Sequence, residues 1–437
     1  MVYVKIRLGV MGSEDSVRVI EKIVADYPQF VCRPFVNGDR EQVIPLLREH
    51  EPEIDMWLLP GRMAYVIATE WGGVTKPMFN LPYKGSSLYR TLCQIFYTQK
   101  IQMNDISFES VLLEDLQQIF NELGIVEKPI YVKPFKLGQT EDESVEFHYR
   151  LWQNGSTKAA VTGTGNVKQR LREMGVPVFR ILPARADVEA ALNMILRVWE
   201  MQFIRDAQIA VQIFELDVFV AGKEFYSTDE MYAMEMKLTQ KLILYAKTVQ
   251  GSLKEAGPGR FAVFTTRGML GASTREFSAI PDSEELCQLS ENMIACGIGI
   301  GRSAYEAEFY AAKALLHAKE YGKGSWVVFF DDKTIVGPLG KTEQLQYSYA
   351  EDALRGISEA TAISTATLSK ISAIVDRLRS TDIGAHDLAK YMQIMPRSAR
   401  RILAKLEQYG YAEPIGEDSP NPRGRPRKIY RIKLGHE

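Results

Sequence analysis

Along the first 185 residues, short apolar runs of the kind that fill buried strands alternate with stretches whose apolar positions return every three or four residues. Residues 4–10, 54–59, 78–81, 129–132, 145–152, 158–161 and 178–182 read as strands, and 13–27, 88–97 and 166–174 as helices. This alternation predicts a layered α/β domain. Several of the strands run into small or turn-forming residues: Met11-Gly12-Ser13, Pro60-Gly61, Lys84-Gly85-Ser86-Ser87 and Thr162-Gly163-Thr164-Gly165. In an open α/β sheet, that edge is where ligands sit.

The pattern then changes. A helix over 187–208, apolar at Val188, Ala191, Leu192, Met194, Ile195, Val198 and Trp199, leads into strands 209–216, 261–265, 293–298 and 326–330 around helices 229–250 and 305–320. Residues 334–360 are polar and read as a linker, and 361–437 as three helices and a hairpin. The expected architecture is α/β and α+β, multidomain. It comprises a layered α/β domain (1–186), a linking helix (187–208), a central α+β domain (209–333), a linker (334–360) and a C-terminal module (361–437).

Composition narrows the classes. Of 437 residues, 46% are apolar and 25% charged, which excludes a disordered or collagen-like chain. No apolar run approaches the ~18 residues of a membrane helix, and the N-terminus lacks a signal-peptide pattern, so a cytoplasmic protein without a membrane partner is expected. Cys32, Cys93, Cys287 and Cys296 are far apart, with no Cys-x-x-Cys pair, which predicts reduced thiols rather than a zinc or disulfide framework. The net charge of −2 hides an asymmetry: residues 361–437 carry +6 and the rest −8. A basic module on an acidic body is the charge pattern of a protein whose one module meets a polyanion.

Inside that module, Leu368, Ile371, Ile374, Val375 and Leu378 share one helix face. Thr381-Asp382 is read as the cap of a second helix with Ile383, Leu388, Ala389 and Met392 buried. Pro396, tolerated in a first turn, opens a third over 397–409. There Ile402, Leu403, Leu406 and Tyr409 face inward, leaving Arg397, Ser398, Arg400, Arg401 and Lys405 outside. Gly410 ends it in the manner of a left-handed cap. A short strand, a Pro/Gly loop and Gly424-Arg425-Pro426-Arg427-Lys428-Ile429-Tyr430-Arg431-Ile432 follow. Three helices and a basic hairpin make a winged helix-turn-helix, and this last segment resembles the wing of bacterial winged-helix repressors and activators. The resemblance covers about the last 75 residues of the chain. It implies double-stranded DNA as partner, with Arg400 and Arg401 at base edges and Arg423, Arg425, Arg427 and Lys428 on phosphate or an adjacent minor groove. Paired wings would match two operator half-sites, so a homodimer is expected, with 187–208 and 345–357 as candidate seams.

In the middle block, Phe214-Glu215-Leu216-Asp217-Val218-Phe219, Gly257-Pro258-Gly259-Arg260-Phe261, Gly297-Ile298-Gly299-Ile300-Gly301 and 314–324 resemble, in order and spacing, the four signature segments of GGDEF domains. The archaeal GTP cyclohydrolase III shares the fold. The resemblance implies a nucleotide-cyclase-like α+β domain in which paired acids hold metal. Glu215 and Asp217 match one strand, but Gly259 stands where the hairpin's metal-binding acid should be, followed by Arg260. A cation placed where a metal must sit opposes binding by repulsion. No metal site, cofactor or enzymatic activity is therefore expected. Nucleotide binding without metal remains open through Glu215, Asp217, Gly257, Arg260, Lys319 and Lys323.

No catalytic set appears in the first block, where His148 is the one histidine within an apparent strand. Turn residues ahead of helices, able to cradle a carboxylate or phosphate on backbone amides, nominate Ser13, Gly61, Gly85, Ser86, Ser87, Thr162, Gly163 and Thr164 as effector-binding. The run Val161-Thr162-Gly163-Thr164-Gly165 through 175–181 resembles the effector-sensing lobe of bacterial regulators such as the propionate-catabolism activator. Together these readings predict a transcription regulator responsive to a small effector, a nucleotide or a carboxylate. The alternative is a purine-nucleotide enzyme of cyclase or cyclohydrolase type with a nucleic-acid-binding tail.

Overall fold

The computed structural model describes residues 5–37, 40–83, 85–124, 131–134, 136, 138, 140–216, 228–257, 259–282, 286, 294–348, 354–418 and 427–434. The expected site residues Asp217, Arg423 and Arg425, and Cys287, lie outside them. The chain is mixed α/β and divides into two compact units, 1–200 and 201–437.

The first unit has two lobes. One comprises β1 (Ile6–Gly12), α1 (Glu14–Val24), β2 (Phe30–Val36), α2 (Val43–His50), β3 (Met56–Pro60), α3 (Arg62–Trp71) and β4 (Met78–Leu81). The other follows with α4 (Ser86–Gln99), β5 (Ile106–Glu109), α5 (Leu113–Glu122), β6 (Tyr131–Lys133), α6 (Glu141–Gln153), β7 (Ala159–Thr162), α7 (Gly165–Glu173) and β8 (Val178–Arg180). Both sheets are wholly parallel and share one strand order, β2-β1-β3-β4 and β6-β5-β7-β8. Parallel strands need helices on both faces, which is why their central members are near-continuous apolar runs. α4 buries Leu88, Leu92 and Ile95 against Ile106, Phe108 and Val161 of the second sheet. α8 (Arg185–Asp206) lays Val188, Leu192 and Ile195 back on the first.

The stretch 145–152, read as a strand, lies within α6. Its apparent alternation conceals a helix that buries Ser144, Val145 and His148 on one side. Thr140 caps it, its hydroxyl accepting the Glu143 N–H at 3.3 Å, behind a first turn of three acids.

The second unit opens with β9 (Ile209–Leu216), α9 (Thr228–Thr248), β10 (Ser252–Gly257), β11 (Arg260–Thr266), α10 (Arg267–Ser273), β12 (Ile294–Gly301), α11 (Ala304–Glu320), β13 (Trp326–Phe329), β14 (Thr334–Gly337) and β15 (Leu345–Ser348). They form one seven-stranded sheet, β10-β11-β9-β12-β13-β14-β15, with only β12 and β13 parallel. The expected linker thus contains two of its strands. Ile335, Leu345 and Tyr347 are buried, but four-residue strands are too short to leave a period in the sequence. Gly297, Gly299 and Gly301 share one face of β12, where a Cβ would fall 2.0–2.5 Å from the backbone of α11. Ala307, Ala311, Ala314 and Ala318 answer them across the contact, so helix and strand meet almost backbone to backbone. The opposite sheet face packs Phe214, Cys296, Ile298 and Trp326 against Leu242 and Tyr245 of α9 and Val249 just beyond it.

The chain ends with α12 (Arg355–Thr361), α13 (Thr365–Leu378), β16 (Asp382–Gly384), α14 (Ala385–Met392), α15 (Pro396–Gln408), β17 (Ala412–Asp418) and β18 (Arg427–Ile432). The three strands form an antiparallel sheet, β16-β18-β17. Asp382 starts a strand rather than a helix, because pairing with β18 claims 382–384. The helix cap is Gly384, whose N–H donates to the Asp387 carboxylate at 2.9 Å. Gly410 ends α15 at φ +80, while Tyr409 is exposed rather than inward. α13 docks on the large sheet beside β15, where Lys370 lies 5.2 and 5.4 Å from the Tyr321 and Tyr347 rings and 3.3 Å from Glu320. Its Arg377 donates to the carbonyls of Thr342 (2.6 Å) and Gln344. Within the expected dimer seam 345–357, Leu345 and Tyr347 are buried in this packing.

Candidate functional site

In a parallel sheet of order 2-1-3-4, the strand order reverses between the first and third strands, and the crevice beyond their carboxyl ends is the natural ligand site. Both lobes contribute that crevice to one cavity of about 530 Å³. Gly12, Ser13, Pro60 and Gly61 line it from the first lobe, and Glu109, Ser110, Gly163 and Thr164 from the second. Tyr83 lies between them, its hydroxyl donating to the Gly163 carbonyl at 2.9 Å. A Cβ on Gly163 would sit 2.2 Å from the Tyr83 ring, and one on Gly61, at φ +92, 2.8 Å from its hydroxyl. These glycines make room for the ring between the lobes.

Arg180 crosses the same gap. Its side chain is 3% exposed, donates to Ser13 Oγ (2.6 Å) and the Gly163 carbonyl (3.3 Å), and pairs with Asp15. Glu109 is 5% exposed and accepts from the hydroxyls of Ser110 (2.5 Å), Thr162 (2.6 Å) and Ser144 (3.5 Å). No cationic side chain pairs with it among the described residues. Thr162 is wholly buried behind the wall, and its hydroxyl oxygen also accepts the Thr164 N–H at 3.0 Å.

The other expected effector residues are placed differently. Gly85, Ser86 and Ser87 open α4 away from the cavity lining, and the Asp187 carboxylate already occupies their nest. It accepts the Ser87 N–H at 2.8 Å and the Ser87 hydroxyl. His148 is buried in α6 against Ser107 Oγ at 2.7 Å. Burial, helped by the charge of Lys133, pushes its imidazole down to about 3, so it is neutral near pH 7. Sequence reading missed Asp15, Tyr83, Glu109 and Arg180. Ser13 and Asp15 lie 167 and 165 residues from Arg180, a separation no local pattern reports.

In the second unit, Glu215 on β9 sits opposite Arg260 on β11. It is 2.9 Å from the Arg260 guanidinium and 2.6 Å from Lys319 Nζ. Desolvation alone would raise its carboxyl, but the hydrogen bonds from Lys319 and Arg260 outweigh it and hold it below the usual range. Two of the three cations expected to meet a phosphate, Arg260 and Lys319, are therefore already paired with Glu215. Gly257 adopts a φ of +130, and a Cβ there would meet no protein atom within 4 Å. Lys323 lies just beyond α11 and has a partner of its own. Among the described residues, no group of acids, histidines or cysteines is arranged to hold a metal ion.

At the C-terminal end, α15 buries Ala399, Leu403 and Leu406 and turns Arg397, Arg400 and Arg401 outward, with Ser398 and Lys405 half-buried. No carboxylate pairs with these three arginines among the described residues. On the hairpin, Arg427 and Lys428 are exposed, and Lys428 Nζ lies 4.0 Å from Glu407. Two neighbouring cations are engaged: Arg431 with Asp382 (2.8 Å) and Lys433 with Glu413 (2.7 Å). Arg397, Arg400, Arg401 and Arg427 thus stand exposed with no carboxylate partner among the described residues, on one helix face and the adjoining strand.

No helix is long and apolar enough to cross a membrane among the described residues. No protein-family model matches the chain, and no curated protein does. Solved structures share limited likeness with it. An NtrC family transcriptional regulator from Clostridium acetobutylicum matches at 14% identity over 46% of this chain and 99% of that one, with a TM-score of 0.35. Unliganded arylmalonate decarboxylase matches at 11% over 44% and 92%, at 0.19. The guanylyl cyclase Cya2 matches at 11% over 52% and 91%, at 0.17. At such scores these are likenesses from which neither fold family nor function of this chain follows.

Proposed function

We propose that the protein is a DNA-binding regulator whose C-terminal three helices and hairpin form a winged helix-turn-helix, and whose interlobe cleft binds a small effector. The observation that carries this reading is the outward face of α15. Three arginines stand there without internal partners, on a helix whose other side is fixed in the core by Ala399, Leu403 and Leu406. A protein gains nothing in stability from leaving like charges clustered, and duplex phosphates and guanine edges are the partners that reward it. α14 and the short turn 393–395 before α15 supply the arrangement that seats a recognition helix in a major groove. An effector that prefers one arrangement of the two lobes would shift their equilibrium, and with it the affinity for DNA.

The enzymatic alternative has less support. A metal-dependent phosphoryl transfer needs free carboxylates on facing strands, and Glu215 faces Arg260 instead. The test is selection of bound sites from a random duplex library, followed by footprinting. Protection of a defined site that disappears in an R400A/R401A variant with unchanged thermal unfolding supports the reading. Failure to enrich any sequence refutes it.

A further inference from the structure

The exposed arginines of α15 point in different directions around the helix, and the direction decides what each can touch. Ala399, Leu403 and Leu406, all wholly buried, set the inward side. Successive residues advance about 100° around the axis, so a residue two places from a buried position stands nearly opposite it, and an adjacent one only about a quarter turn away. Arg397 and Arg401 are two places from Ala399, and Ala404 and Gln408 two places from Leu406; all four are exposed. They form one stripe directed away from the core. Arg400, adjacent to Ala399, is exposed on a flank of that stripe.

The hairpin shows which flank this is. Glu407, the single acid of α15, follows Arg400 by two turns on the same side, is half-buried, and lies 4.0 Å from Lys428 Nζ of β18. The Arg400 flank therefore adjoins the hairpin. On the other flank Ser398 and Lys405, also seven residues apart, are half-buried. With the stripe against the floor of a major groove, each flank meets one of its walls, and those walls are phosphate.

Resting on the DNA-binding reading above, we infer that Arg397 and Arg401 read the sequence, each pairing with a guanine, while Arg400 and Lys405 hold the phosphates on either side. This separates Arg400 from Arg401, neighbours expected together at base edges. A guanidinium matches the O6 and N7 acceptors that guanine presents in the major groove. Four residues of α-helix rise about 6 Å, close to two base steps of about 3.4 Å, so the two G·C pairs lie about two steps apart. Ala404, next along the stripe, adds little bulk and lets the helix approach the base edges. On duplex of arbitrary sequence the same arginines serve phosphate alike, and the division belongs to the preferred site.

The test uses the full chain. A preferred duplex is selected from a random library, and each of its guanines is replaced in turn by 7-deazaguanine, which lacks the N7 acceptor. On the unaltered protein, replacement at two G·C pairs about two steps apart is expected to weaken binding about tenfold. R397A and R401A should each become insensitive to one of these replacements. R400A should remain sensitive to both, bind every duplex more weakly and lower the salt slope by about 1. The guanine map of the unaltered protein stands even if a variant fails to fold. A preferred site in which no guanine replacement matters, or loss of a guanine's effect in R400A but in neither other variant, overturns the division of roles while leaving the protein a DNA binder. Enrichment of no duplex overturns both readings.

Discussion

Gly299→Ala in β12 is the sharpest test of the packing in the second unit. Its Cβ would lie 2.0 Å from the Ala307 carbonyl oxygen and 2.2 Å from the Ala311 nitrogen, both backbone atoms of α11. Ordinary contact begins at 3.4 Å, so the helix would have to retreat by about 1.4 Å. No rotamer relieves a clash with backbone. Retreat would open a gap under Ala307, Ala311, Ala314 and Ala318, and a gap of that width forfeits half or more of the dispersion attraction along the seam. Overpacking of this kind costs about 3 kcal/mol, or a fall of about 6–12 °C in Tm for a unit of this size. Gly356→Ala is the control: it is exposed in α12 with nothing within 4 Å of the new Cβ. It should leave Tm unchanged or raise it slightly. Scanning calorimetry on both variants decides the matter. A Gly299→Ala protein melting within about 2 °C of wild type would refute the close approach.

Acid should loosen the first unit through His148. Its folded-state value of about 3 lies below the ordinary 6.5, so the unfolded chain takes the proton first; the contribution is complete above about pH 6.5 and lost as pH falls toward 3. Urea unfolding between pH 7.5 and 4.5 should show that decline, and His148→Gln should flatten it. Lys370→Ala removes an ammonium from between two tyrosine rings and Glu320 and should cost the second unit about 1–2 kcal/mol in urea unfolding. The hydrogen bond from His317, with Lys370 nearby, holds the Glu320 carboxyl down to about 2. That contribution is present above about pH 4.5 and lost as pH falls toward 2, so a Glu320→Gln variant should converge on wild type at the acid end.

Central strands and capped helices were legible because they are long, apolar and local. β9, with eight residues apolar nearly throughout, shows its bounds in the sequence. β2 hides, because an edge strand with Pro34 in it is half-exposed and shows no clear period. β5 hides because Ser107 and Glu109 make half of a four-residue buried strand polar. Their partners His148, Ser144 and Thr162 come from elsewhere in the chain, and only the fold shows that the polarity is satisfied. At α6 the sequence carried the deciding signal, Thr140 three residues ahead of Glu143, and the alternation of 145–152 masked it. The cleft was half visible: turns after strands gave Ser13, Gly61, Gly163 and Thr164, but the same signal gave Ser87, whose nest Asp187 fills from 100 residues away. A turn that can hold an anion reads the same whether the anion is a ligand or the chain itself.

The salt dependence of duplex binding by the full chain bears most directly on the central claim. If the exposed cations Arg397, Arg400 and Arg401 of α15 and Arg427 of β18 neutralise phosphates, log K should fall against log salt with a slope of about −4, roughly two orders of magnitude between 50 and 200 mM. An R397A/R400A/R401A variant should show a visibly shallower slope. No measurable affinity for duplex at the lower salt, or an affinity indifferent to both salt and the three arginines, would contradict the account.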